Sequence, residues 1–149
     1  SSATCSACRS AAAAAARAAR RERLLGPDAP VFHAVIEEAV LARPTGGRDV
    51  MNGQLRALLN SAAKQNVQIQ IVPQESWQHP GHEGSFTILG FGGPVNLDVV
   101  YSEGALGNSA YLEDAAQLEL SRVNFASISK AALSEGDSVA FVEGLLAQQ

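Results

Sequence analysis

Apolar positions change their period several times along the chain, and each change marks an element. Met51, Leu55, Leu58, Leu59 and Ala62 recur at helical spacing, which predicts a helix over 49–63 with Asp49 as its N-cap. Residues 67–72 (VQIQIV) then alternate strictly until Pro73, the pattern of a one-sided strand. Two further strands are expected at 86–91 and 97–103, the first closed by Gly92-Gly93-Pro94, with a short one at Tyr111-Leu112. Asp114 opens a second long helix with Leu118, Phe125 and Ile128 on its inward stripe. Ser134 and Asp137 have the form of a capping box before a last helix carrying Val139, Val142, Leu145 and Leu146.

Residues 31–41 (VFHAVIEEAVL) satisfy both templates. The short, β-branched run and its stop at Arg43-Pro44-Thr45-Gly46-Gly47 favour a strand, with Phe32, Ala34, Ile36, Glu38 and Val40 sharing one face. Upstream, residues 11–25 are alanine- and arginine-rich and helical by propensity, with almost no apolar stripe until Leu24-Leu25. The expected fold is α+β: a mixed or mainly antiparallel sheet of about four strands packed with three helices, preceded by a linker helix. The expected division is an arm and linker helix at 1–25 and an α+β domain at 26–149.

Charge sharpens that division. Residues 1–25 hold five arginines against one glutamate, net +4, whereas the remainder holds six basic and fourteen acidic residues, net −8. An acidic body repels phosphate, so only the arm is suited to touch DNA. Hydrophobic content of 46% with 17% charged residues describes a folded globular chain. No stretch reaches the roughly 18 apolar residues a membrane span needs, and the opening residues lack a signal-peptide core, so a cytoplasmic protein is expected.

The chemistry-bearing groups are few. Cys5 and Cys8 form a lone C-x-x-C with no second pair at zinc spacing, and read as free thiols in a loose tail. The loop His79-Pro-Gly-His82-Glu83 offers two imidazoles and a carboxylate, but its spacing supplies no firm third ligand, so no metal is assigned. His79 or Trp77 is expected instead at a pocket mouth, since loops on a rigid sheet tend to carry recognition. Tyr101 and Glu103 stand two apart on a strand and share a face. An inward Glu38 beside a tyrosine hydroxyl would hold a cationic or hydroxylated ligand; alternatively Glu38 pairs with Arg43 or a backbone donor and fixes the fold. No nucleophile elbow and no phosphate loop is present in the sequence.

From Arg20 onward an ordered series of residues resembles a known family. It runs through Arg21-Glu22-Arg23-Leu24-Leu25, Ile36 to Leu41, Arg43-Pro44, Gly46-Gly47, Met51, Gln54-Leu55 and Leu58-Leu59. It continues through residues 67–73, His79, Gly81, Gly84, Phe86-Thr87, residues 98–103, 111–114, Phe125, 131–134 and Ser138. The series resembles the domain of uncertain function that follows an XRE-type helix-turn-helix in actinobacterial, antitoxin-like transcription regulators, often encoded beside a small partner protein. Trp77, where a small residue is usual, and Gly90, where an acidic one is common, depart from that pattern.

The resemblance implies a regulatory domain that binds a small-molecule effector or a small partner protein and meets DNA only through a separate N-terminal domain. A homodimer is a further expectation. The candidate ligand- or partner-binding residues are Glu38, Arg43, Trp77, His79, Tyr101 and Glu103; no catalytic residue and no cofactor is assigned. The alternative is a freestanding small enzyme or ligand carrier of secondary metabolism, with Glu38, Tyr101, Glu103 and His79 as acid–base groups.

Overall fold

The computed structural model describes residues 15, 18–20, 22–76, 78–92, 98–103 and 109–148, without the side chains of Glu83 and Glu103. Strand β1 (Phe32–Glu37) leads into a short helix α1 (Glu38–Ala42) and a long helix α2 (Arg48–Ala62), which return the chain to β2 (Val67–Val72). A 3-10 turn (Pro80–Glu83) precedes β3 (Phe86–Leu89), β4 (Val99–Glu103) and β5 (Ser109–Leu112). Helices α3 (Ala115–Ala131) and α4 (Glu135–Ala147) follow.

The α+β class holds, but the strands form two sheets where one was expected. β1 and β2 pair in parallel, from Phe32↔Val67 to Glu37↔Val72. β3, β4 and β5 form an antiparallel meander, with Thr87, Tyr101 and Tyr111 in one cross-strand row. Helix α3 touches both sheets and the 3-10 turn, so it bridges them.

The expected strand at 31–41 is cut after six residues. β2 ends at Val72, before a proline that has no N–H to offer a partner, and β1 runs out of pairing at the same level. The chain turns helical at once, which takes Glu38 off the strand face it was expected to share with Phe32, Ala34 and Ile36. A second correction concerns α2. Its N-cap is Gly47, not Asp49, because Gly46 and Gly47 take φ of 80° and 95°, a tight reversal that side chains resist. Asp49 sits in the first turn instead, where its charge suits the helix dipole.

Registered pairs share a face, so β1–β2 sorts its side chains cleanly. Val67, Ile69 and Ile71 face a core built with Leu41, Met51, Leu55 and Val142, against which Ile36, Leu59, Phe141 and Leu145 pack. The opposite face carries His33, Val35 and Glu37 beside Gln68 and Gln70. It is polar yet covered: His33 Nε2 donates to Gln70 Oε1 (2.7 Å) and meets the Phe125 ring edge-on at 4.9 Å. Gln70 Nε2 donates to the Leu133 carbonyl (2.9 Å). The Ile71 N–H donates to the buried Ser138 Oγ (3.0 Å) and the Ile71 carbonyl accepts from the Leu133 N–H (2.8 Å). The α3–α4 junction thus closes the free edge of β2.

The caps of α3 and α4 follow the sequence. Asp114 Oδ1 accepts from the Ala116 and Gln117 N–H groups at 3.1 Å each, and Ser134 Oγ accepts from the Asp137 N–H at 3.2 Å. In the arm, described residues 15, 18–20 and 22 are helical. Asn66 fastens the segment that follows. Its side-chain amide donates to the Pro30 carbonyl (3.0 Å) and the Leu24 carbonyl (3.4 Å), while its own carbonyl accepts from the Phe32 N–H (2.8 Å).

Candidate functional site

Beyond the carboxyl ends of β1 and β2 the chain leaves a cleft of about 420 Å³. That is where open parallel sheets commonly place ligands, because the strand ends and the loops leaving them diverge there. Its walls come from both halves of the molecule: Val35, Ile36, Val40 and Val72 from the parallel half, Phe86 from β3, and Phe125 and Ile128 from α3. The polar residues lining this largely apolar space are Glu37, His79, His82 and Ser85, of which the first three are titratable. A mostly apolar cleft of this size with a few convergent polar groups is the usual form of a small-molecule site.

Each of the three is placed by a local rule. Glu37 is the last residue of β1, and register with Val72 turns it to the α3 side of the sheet. His79 is the N-cap of the 3-10 turn, its Nδ1 accepting from the Gly81 N–H at 3.1 Å. Pro80 follows at the first position of the turn, where its fixed φ favours helical winding. The turn then brings His82 back onto Glu37, with Nδ1 3.3 Å from Glu37 Oε1. The two imidazoles stack at 4.3 Å between centroids with a 34° tilt. One donor atom from each of Glu37, His79 and His82 lies within 4.8 Å of the others.

Gly81 is what allows the approach. A Cβ there would stand 2.8 Å from His79 Nδ1, 3.0 Å from His79 Cε1 and 3.6 Å from Glu37 Oε1. Any other residue would push the His79 ring away. A smaller cleft of about 110 Å³ adjoins, lined by Glu37, Glu38, Pro73, Gln74, His79 and His82 among others.

The residues singled out from the sequence meet different fates. His79 lines both clefts. Glu38 lines only the smaller one, and its Oε2 accepts from the Gln74 N–H at 2.9 Å, so a backbone donor occupies that oxygen. Arg43 is the exposed C-cap residue of α1, and Tyr101 packs its ring against Tyr111 at 5.1 Å; neither lines the two clefts. Glu103 ends β4, and Trp77, Cys5 and Cys8 lie outside the described residues. Glu37, the residue that joins the two histidines, was not singled out. Its only sequence signal is the Glu37-Glu38 pair at the end of an apolar run, which gives no hint which carboxylate turns inward.

Fold and site together define a small α+β domain with a composite cleft between two sheets, in which Glu37, His79 and His82 converge. The chain belongs to the DUF5753 family, a domain of unknown function, whose pattern it matches over residues 2–144. No curated protein and no solved structure matches it. Among the described residues no helix is long and apolar enough to cross a membrane.

Proposed function

We propose that this domain is the effector-binding, regulatory part of a cytoplasmic transcription regulator of the actinobacterial XRE helix-turn-helix type. A small molecule occupies the cleft, and DNA is met only through a separate DNA-reading domain. The observation that carries this reading is the convergence of Glu37, His79 and His82 in a largely apolar cleft of about 420 Å³. An acidic body with a basic arm supports it, because such a body is unsuited to hold a polyanion itself.

The path from cleft to arm is short. β1 carries Glu37 at one end and Phe32 at the other, and Phe32 is bonded to Asn66, which also holds the Pro30 and Leu24 carbonyls. An effector that favours one position of Glu37 therefore acts on a strand tied directly to the arm. Such a device regulates only if the effector has unequal affinity for two states of the connection.

A small partner protein is the other occupant this reading allows, on an exposed face rather than within the cleft. The acid–base enzyme reading draws less support, since Glu38 is engaged by the Gln74 backbone and Tyr101 is packed on Tyr111. Methyl-labelled protein titrated with pooled metabolites tests the proposal. A genuine effector shifts the methyls of Val35, Val72 and Ile128 and leaves Leu55 and Leu145 unmoved. Pools that never move the cleft methyls would sink it.

A further inference from the structure

We propose that Glu37, His79 and His82 form a binding site for a late first-row divalent cation, zinc foremost, at the open edge of the cleft. Two imidazoles and one carboxylate are a ligand set that zinc takes in sites keeping a fourth position open. Imidazole nitrogen also favours zinc and its neighbours over magnesium or calcium, which prefer oxygen.

The geometry is close to what such an ion needs. Donors about 2.1 Å from a tetrahedral zinc lie roughly 3.4 Å from one another. Glu37 Oε1 and His82 Nδ1 already stand 3.3 Å apart, and the three donor atoms fall within 4.8 Å. The third donor, on His79, lies within 4.8 Å of the other two and would have to move closer to them to bind the same ion.

Gly81 supplies a second, independent observation. The point its Cβ would occupy is 2.8 Å from His79 Nδ1 and 3.6 Å from Glu37 Oε1. Glycine leaves free the space between these two donors. The Gly81 N–H now donates to His79 Nδ1, so that nitrogen's lone pair is engaged within the turn. An ion bound through Nδ1 replaces that hydrogen bond.

The three side chains line the cleft, so the remaining coordination position opens toward it. There the ion would take an anionic donor, such as a carboxylate, from a molecule whose apolar part lies against Val35, Val72 and Phe125. This last step rests on the effector-binding reading above; the cation site itself does not.

The test uses the untagged full chain with Cys5→Ser and Cys8→Ser, which removes the thiol pair as a competing zinc ligand, titrated with zinc chloride alone. Calorimetry is expected to show a single equivalent bound. The ring nitrogen resonances of His79 and His82 should shift on binding while those of His33, held by Gln70, stay in place. Glu37→Gln should weaken zinc binding about a hundredfold, the upper end of what even outer-sphere partners cost. Gly81→Ala should weaken it in the same direction, and circular dichroism confirms that each variant is folded. Should Glu37→Gln fail to fold, the histidine resonances of the cysteine-free chain decide alone. Absence of uptake, or uptake that leaves both rings unmoved, overturns the site. Cleft methyls that answer to metabolites but not to zinc would separate failure of the metal site from failure of effector binding.

Discussion

The two halves of this molecule are built to different standards. In the parallel half, Ile71 and Leu55 are 0% and 1% exposed, and both faces of β1–β2 are covered by helices or their junction. In the antiparallel half, Val100 is buried, yet Tyr111 is 63% and Leu89 38% exposed. Both sheets pack on α3, but only the first is also enclosed by α2 and α4 on its other face. A cleft between a rigid body and a lighter flap can change width at low cost, which suits a site that must respond to its occupant. The polar groups of the cleft sit on the rigid half and the turn leaving it, while Phe86 and α3 supply the facing wall.

Substitutions can break or sharpen this contrast. The largest effect is expected from Ile71→Ala, which empties a fully buried position on β2 and should cost about 3–4 kcal/mol in denaturant unfolding. Leu89→Ala, on the light sheet, should cost roughly 1 kcal/mol or less by the same measurement. Equal losses at the two sites would erase the proposed difference. Next is Ser138→Ala. Ser138 is 2% exposed and its hydroxyl accepts the Ile71 N–H, so the variant leaves a buried donor orphaned at about 1–3 kcal/mol.

The smallest effect is expected at the junction between the halves. Arg122 on α3 pairs with Asp98, whose other oxygen accepts from the Phe91 N–H at 3.0 Å. The pair is part-exposed and screened, so Arg122→Ala should cost about 0.5 kcal/mol globally. It should nonetheless speed amide exchange across β3 and β4, because it loosens one of the ties between α3 and that sheet. Unchanged exchange there would show that the light sheet does not depend on this tie.

Much of the fold was legible because its signals are local. The heptad-like spacing in α2, the alternation of β2, and the caps at Asp114 and Ser134 each fix an element within a few residues. Partnership was not legible. Nothing in residues 67–72 and 86–89 says that they belong to different sheets, since pairing is decided by chain segments far apart. The break at Glu37 and Glu38 was hidden for the same reason: the run fits both periods until the length of β2 limits it.

The site was half legible. His79 was found from its loop chemistry, whereas Glu37 joins it only because parallel pairing carries β1 to the level of the 3-10 turn. The alternation of β2 does not show what lies on its polar face, where Gln70 is bonded to both His33 and Leu133.

The central claim is that filling the cleft is felt at the arm through β1. Amide hydrogen exchange, with and without a compound that shifts the cleft methyls, tests it directly. The account predicts joint changes in protection at residues 79–86 and at the Phe32 N–H, which bonds to Asn66. Protection that changes around the cleft while Phe32 exchanges as before would contradict it.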